Sequence, residues 1–253
     1  MQTLNYKVFG EGKPLIILHG LFGSLDNWVT LGKKFAANFQ VYLVDQRNHG
    51  QSFHDPVFSY DVMSEDLYRF MGEMNIEQAS LIGHSMGGKT VMEFASKYPE
   101  KIDKLIVADI GPKSYPVHHS TILKAFYSVP IESLSSRKDA DNVLRKLIAD
   151  FGIRQFLLKN LTREGDGFKW KMNLDAIASQ IEEVGKGLNQ NASFNKDTLF
   201  IRGGNSDYVL DDDFYSIKSF FPKSKIETVD GAGHWLHAEK PAEFYEKVTQ
   251  FLL

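Results

Sequence analysis

The chain has 253 residues, of which 43% are hydrophobic, and its 29 basic and 32 acidic side chains leave a net charge of −3. This length is enough for one large core, and the dispersed basic residues give no electrostatic footprint for nucleic acid. No run approaches the roughly 18 apolar residues of a membrane span, and the N-terminus lacks the apolar core of a signal peptide. Because the chain has no cysteine, disulfides and metal–thiolate sites are excluded. We expect a cytoplasmic protein.

Short apolar runs alternate with helical patterns along most of the chain. The first nine residues alternate like a strand, and helices are predicted at Tyr60–Met74 and Val91–Tyr98. Continuous apolar strands separated by helices are typical of a mainly parallel sheet covered by helices on both faces. We therefore predict an α/β fold, with core strands at Leu15–Leu18, Val41–Val44, Ser80–Ile82, Leu105–Ala108, Leu199–Ile201 and Ile226–Val229.

The alternation is interrupted once, between Pro112 and about Lys196. This stretch contains no convincing strand and has only helical patterns. It leaves the sheet at the carboxyl ends of two core strands, where α/β folds place their sites, and such a position favours a lid over a helical domain unrelated to catalysis. We predict a core formed by residues 1–112 and 196–253, with a helical lid inserted at 113–195.

A glycine-rich loop follows the strand at Leu15–Leu18. It reads His-Gly-Leu-Phe-Gly over residues 19–23, and a loop of this kind can present backbone N–H groups to an oxyanion. The motif is weak evidence alone and becomes strong when a nucleophile motif follows. The backbone N–H of Leu21 is the best candidate in this loop, whereas His19 is expected to be structural.

The nucleophile motif is Gly-His-Ser-Met-Gly at residues 83–87, between an apolar run and a helical pattern that Pro99 stops. Strand, G-x-S-x-G and helix in this order are the context of a nucleophile elbow. The tight turn forces Ser85 toward positive φ and places its hydroxyl at a helix N-terminus, where developing negative charge is stabilised. The N–H of Met86 would then be the second oxyanion donor. The alternative is a turn whose serine only caps the helix.

Two aspartates compete for the role of the acid that orients the base. Asp109 ends a predicted strand, and Asp207 follows the next core strand in the segment Arg-Gly-Gly-Asn-Ser-Asp. Both stand at the carboxyl ends of consecutive strands, where a doubly wound sheet places its site. The orienting acid usually lies three residues after the first glycine of the turn. Counted from Gly203 this position is Ser206, and counted from Gly204 it is Asp207. Spacing alone leaves both aspartates open.

The candidate base is His234, in the segment Gly-Ala-Gly-His-Trp near the C-terminus. The order serine, acid, histidine is that of the α/β-hydrolase triad, and glycines suit a loop that crosses close to the elbow. His237 and Glu239 lie just beyond and suggest a metal cluster, but no further ligand with suitable spacing is evident. We expect no metal and no cofactor.

Six motifs in order resemble one family. They are similar to those of the small α/β-hydrolase esterases typified by bacterial YbfF-type enzymes and the related mitochondrial abhydrolase-domain 11 proteins, and the resemblance covers nearly the whole chain. The motifs stand at His19–Asn27, Asp45–Ser52, Gly83–Lys89, Asp109–Pro112, Gly203–Ser206 and Gly231–Pro241.

The resemblance implies an α/β-hydrolase fold and a serine carboxylesterase that acts on short- to medium-chain acyl esters, or thioesters. It implies a triad of Ser85, His234 and Asp109, with Ser206 in the commoner acid slot; Asp207, directly after Ser206, is the second choice. The alternatives are a carbon–carbon bond hydrolase and a binding or receptor protein of the same fold without turnover. The expected partners are a small acyl ester and water.

Overall fold

A sheet of seven strands organises the structure, a computed structural model in which residues 3–253 are described. The strand order is β1-β3-β2-β4-β5-β8-β9, and β1 is the antiparallel edge strand on an otherwise parallel sheet. The prediction of a mainly parallel α/β fold is therefore confirmed. The strands, including the separate pair β6–β7, are Tyr6–Phe9 (β1), Lys13–Leu18 (β2), Phe39–Val44 (β3), Ala79–His84 (β4), Ile102–Ala108 (β5), Leu161–Glu164 (β6), Gly167–Trp170 (β7), Thr198–Gly203 (β8) and Ser224–Val229 (β9).

Helices cover both faces of the sheet because neighbouring strand residues point to opposite sides. In β2, Ile16 and Leu18 belong to one apolar core, and Leu15 and Ile17, which point to the other face, belong to a second. The α-helices of the described residues are Val29–Phe35 (α1), Tyr60–Glu73 (α2), Met86–Lys97 (α3), Ser120–Ser128 (α4), Arg137–Leu144 (α5), Phe151–Leu158 (α6), Leu174–Ser179 (α7), Ile181–Val184 (α8), Asp213–Phe220 (α9), Leu236–Glu239 (α10) and Pro241–Leu252 (α11).

The segment 113–195, called the inserted segment below, lies between β5 and β8, two strands that pair directly in the sheet. It holds helices α4 to α8, and it also contains the antiparallel hairpin β6–β7. The expectation that no strand occurs here was wrong. Gly165 and Asp166 form a two-residue loop, with Gly165 at φ 57°, and Gly-Asp at this spacing is a hairpin signal.

A third apolar cluster joins the inserted segment to the loop after β2 and to the start of α3. Leu21, Phe22 and Met86, which lie outside the inserted segment, pack with inserted-segment residues such as Phe126 and Leu157. The loop after β2 and the start of α3 therefore lie directly beneath the inserted segment. Within residues 3–253, no helix is both long enough and apolar enough to cross a membrane.

Candidate active site

Ser85 stands in a strained turn between β4 and α3. Its φ and ψ are 52° and −116°, and positive φ is costly for a residue with a Cβ. The turn is so tight that a Cβ on Gly83 would lie 2.2 Å from the carbonyl oxygen of Gly87. The sequence predicted this positive φ, at a residue that directly precedes the first residue of α3.

Asp109 directly follows β5 and is buried, also with positive φ (50°). One carboxylate oxygen accepts the N–H of Gly203 at 2.9 Å. The other lies 2.7 Å from Nδ1 of His234 and also accepts the hydroxyl of Ser206. A carboxylate accepts at Nδ1 only from N–H, so it fixes the tautomer in which Nε2 of the neutral imidazole is a proton acceptor.

The second-choice acid does not occupy this position. Among the described residues, the carboxylate that meets His234 is that of Asp109, and Asp207 is exposed. Ser206, which occupies the commoner acid slot, contributes a hydroxyl that donates to the buried carboxylate of Asp109. The three-dimensional arrangement thus favours Asp109 between the two aspartates that spacing left open.

Hydrogen bonds fix the loop that carries His234 to the elbow and to helix α10. Nε2–H of His84, the residue before Ser85, donates to the carbonyl oxygen of His234 at 2.8 Å. Glu239 accepts the N–H groups of Gly233 at 2.7 Å and Trp235 at 3.2 Å. This contact explains why a carboxylate follows the histidine so closely in the sequence.

His237 does not join His234 and Glu239 as a metal ligand. Its buried ring stacks on Trp28 with centroids 4.2 Å apart, and burial lowers its pKa to about 3. Within residues 3–253, no group of three His, Asp or Glu side chains is arranged to hold a metal ion.

The glycine-rich loop after β2 reaches Ser85. A Cβ on Gly20 would lie 3.3 Å from Cβ of Ser85 and 2.9 Å from Nδ1 of His84, so only glycine allows this approach. Leu21 therefore follows a residue that touches the elbow, and Met86 begins α3 directly after Ser85. The backbone N–H groups of Leu21 and Met86 therefore belong to residues next to this contact, and they stay the candidates for the oxyanion donors.

His19 has the structural role that was expected. Its Nε2 accepts the N–H of Gln46 at 3.1 Å, and its Nδ1 lies 2.8 Å from the carbonyl oxygen of Gly20, to which it donates. Burial lowers its pKa to about 4, so the ring stays neutral and can keep both bonds.

Two tyrosines at the site were not singled out for these contacts by sequence reasoning. The ring of Tyr208 stacks on His234 with centroids 3.9 Å apart and planes at 17°. The hydroxyl of Tyr115 accepts the N–H of Gly111 and donates to the carbonyl oxygen of Tyr208, both at 2.7 Å. No local pattern marks such contacts, because Tyr115 stands near the start of the inserted segment and Tyr208 follows that segment, 93 residues further along the chain.

Lys89, on α3, is a buried cation without a carboxylate partner among the described residues; its side-chain exposure is 1%. Its ammonium donates to the carbonyl oxygen of Lys113 and lies 5.1 Å from the ring centroid of Tyr115. Burial, and then the nearby charge of Lys113, lower the pKa of Lys89 to about 7. The lysine thus connects α3 to the start of the inserted segment.

Comparison with known proteins identifies the family. The family model described as "alpha/beta hydrolase fold" matches residues 13–241. The chain belongs to the α/β-hydrolase family. It is 39% identical to the sn-1-specific diacylglycerol lipase ABHD11 of Mus musculus, over 94% of this chain and 80% of that protein. It is 36% identical to esterase YbfF of Escherichia coli (strain K12), over 96% of this chain and 94% of that protein.

A solved structure called "Marine microorganism esterase" matches with a TM-score of 0.97 and 42% identity, over 99% of this chain and 100% of that chain. The predicted membership in the group of YbfF-type and abhydrolase-domain 11 proteins is confirmed. Within the α/β-hydrolase family, the chain belongs to a group of esterases and lipases.

Proposed function

We propose that this protein is a serine carboxylesterase that works through an acyl-enzyme, with Ser85 as nucleophile, His234 as base and Asp109 as the orienting acid. The observation that carries the proposal is the 2.7 Å contact of Asp109 with Nδ1 of His234, in a loop bound to the residue before a strained serine. A serine without an oriented base is a poor nucleophile, and this contact supplies the orientation.

In the proposed reaction, Nε2 of His234 takes the hydroxyl proton as Ser85 attacks the carbonyl carbon of the ester. The backbone N–H groups of Leu21 and Met86 stabilise the tetrahedral oxyanion. The intermediate collapses when His234 gives its proton to the departing alcohol. Water, activated by the same imidazole, then attacks the acyl-enzyme and releases the acid.

We also propose that the substrate is a short- to medium-chain acyl ester, or a thioester, and that the inserted segment is a lid over it. The apolar core that joins Leu21, Phe22 and Met86 to the inserted segment supports an apolar acyl group beside Ser85. The names of the relatives make diacylglycerol and simple esters the first substrates to test.

The test is a panel of p-nitrophenyl esters of increasing chain length, with diacylglycerol, an acyl thioester and a ring-cleavage diketone as further substrates. We expect turnover of esters, and a fluorophosphonate probe should label Ser85 in the wild type and fail to label Ser85→Ala. Turnover of the diketone alone would favour carbon–carbon bond hydrolysis. Labelling without any product would favour a binding protein.

A further inference from the structure

Phe22 has an unfavourable backbone conformation in the loop that carries the proposed oxyanion donor. Its φ is 58°, and the N–H of Gly23 donates to the carbonyl oxygen of Gly20 at 2.9 Å. These features define a turn with Leu21 and Phe22 at its centre, in which positive φ at the second central residue normally requires glycine or asparagine. A bulky aromatic residue there needs support from its surroundings.

Side chains from two other parts of the chain hold both backbone polar groups of Phe22. Its N–H donates to Nε2 of His49 at 3.2 Å, and its carbonyl oxygen accepts from Nδ2 of Asn160 at 2.7 Å. His49 belongs to the Asp45–Ser52 motif on the core, whereas Asn160 belongs to the inserted segment, between α6 and β6.

The chemistry of His49 suits the role of acceptor. Its Nδ1 lies 3.0 Å from the carbonyl oxygen of Arg47 and must therefore donate, which leaves Nε2 free to accept. The side chain is completely buried, and burial lowers its pKa to about 3. A neutral ring keeps its acceptor throughout the range in which esterases are assayed.

The chemistry of Asn160 suits the role of donor. The side chain is 2% exposed, and its Nδ2 lies 2.7 Å from the carbonyl oxygen of Phe22 and 3.2 Å from that of Leu157. Only the amide nitrogen can face two carbonyl oxygens. The ring of Phe22 also packs on Phe126 of the inserted segment, with centroids 5.2 Å apart.

We propose that Asn160 and His49 are positioning residues for the oxyanion hole, so that the hole is complete only when the inserted segment is docked on the core. Without them, the peptide between Leu21 and Phe22 can flip, which returns Phe22 to negative φ and reverses the Leu21 carbonyl beside the proposed donor. The inference rests on the proposed serine esterase mechanism.

The experiment compares Asn160→Leu, which keeps the size of the side chain and removes its donor, with Asn189→Leu. Asn189 is an exposed asparagine of the inserted segment whose side chain accepts the N–H of Asn191. Activities against a p-nitrophenyl ester are normalised to the sites that a fluorophosphonate titrates. We expect Asn160→Leu to lower kcat about 10-fold with KM unchanged, less than the roughly 10²–10³-fold loss on removing a donor outright.

A trifluoromethyl ketone, which forms a tetrahedral adduct with the serine, gives the readout that a merely structural role would not change. Its affinity should fall by the same factor as kcat in Asn160→Leu and stay unchanged in Asn189→Leu. If Asn160→Leu does not fold, Asn160→Ala removes the donor without placing a large apolar group against the two carbonyl oxygens and should show the same pattern.

Wild-type kcat and inhibitor affinity in a folded Asn160 variant would overturn the inference while leaving the esterase proposal intact. A fall in kcat without a fall in inhibitor affinity would also overturn it. Absence of ester turnover in the wild type would instead count against the proposed function itself, so the two failures are distinguishable.

Discussion

The two sides of the candidate site are held by different means. On the acid–base side, Asp109, Ser206 and His234 meet through side-chain hydrogen bonds between loops that follow three strands of the core. On the oxyanion side, the proposed donors are backbone N–H groups, and the loop of one of them is held by side chains from outside it, His49 and Asn160.

This difference determines how each side can fail. On the acid–base side, replacing one functional atom removes a hydrogen bond between side chains, even though the fold persists. A backbone hole has no side chain of its own to remove, so it is weakened through residues that support the loop. We therefore expect large effects from single-atom changes on the acid–base side and smaller, graded effects from changes in the supporting contacts.

The largest effect should follow Ser85→Ala, which removes the hydroxyl oxygen of the proposed nucleophile. In a serine protease, loss of the nucleophile lowers kcat by roughly 10⁶-fold, and the activity that remains comes from the oxyanion hole and substrate binding. We expect a loss of this order for ester hydrolysis, with an unchanged circular dichroism spectrum. Ser219→Ala, at an exposed serine, is the matched control. Substantial turnover by Ser85→Ala would contradict the whole mechanism.

Asp109→Asn should have the next largest effect. The amide keeps the shape of the carboxylate but favours the wrong tautomer of His234, a change that costs about 10⁴-fold in kcat in a serine protease. Asp207→Asn is the control, because Asp207 is exposed and lies outside the contacts of His234, and it should remain close to wild type. Ser206→Ala should be intermediate, since it removes one donor to the buried carboxylate.

Steady-state kinetics of the three variants decide between the acids. A severe defect in Asp207→Asn together with normal turnover in Asp109→Asn would reverse the assignment. Severe defects in both would indicate coupled roles, which a double-mutant cycle can separate.

The core could be predicted from the sequence because its signals are local. Continuous apolar runs located the strands, and the elbow's glycines located the strained serine, since a Cβ at Gly83 cannot fit. The hairpin β6–β7 was missed because its strands have four residues each and lie among helical patterns. Only the Gly165-Asp166 loop indicated it.

The choice between Asp109 and Asp207 could not be made from spacing, because both follow core strands and only the path of the loops decides which one meets His234. The supports of the oxyanion loop were equally inaccessible, since Asn160 and Phe22 are 138 residues apart in the sequence. A lone asparagine in a helical stretch has no local pattern that predicts a bond to a distant carbonyl oxygen.

Lys89→Met tests the contact between α3 and the start of the inserted segment. Burial lowers the pKa of Lys89 to about 7, against about 10.4 in an unfolded chain. Between these values the unfolded state binds more protons, so this lysine makes the folded state less stable as pH falls from about 10 to 7. Methionine removes the titration, and the free energy of unfolding of the variant should therefore lose this part of its pH dependence.

The measurement is urea unfolding of wild type and Lys89→Met at several pH values from 7 to 9.5. The difference between them should change by about 1.4 kcal/mol per pH unit, with the variant gaining relative stability toward pH 7. Lys138→Met, at an exposed lysine, controls for loss of charge and should run parallel to the wild type. A pH-independent difference for Lys89→Met would show that the lysine keeps one protonation state throughout.

The smallest effect should come from a change at Tyr208. This residue contacts the ring of His234 but makes none of the hydrogen bonds to Asp109 described above. Its ring lies flat on His234, 3.9 Å between centroids, and so limits rotation of the imidazole away from Ser85. Tyr208→Leu removes the flat surface, and because a misplacement of 1 Å can cost about 10²-fold, partial loosening should lower kcat about 10-fold with little change in KM. Tyr208→Phe keeps the ring and should be close to wild type, while Tyr215→Leu, at a tyrosine that is 87% exposed, controls for loss of an aromatic residue. Equal defects in Tyr208→Phe and Tyr208→Leu would assign the effect to the hydroxyl instead of the stack, and no defect in either would show that the stack does not position the imidazole.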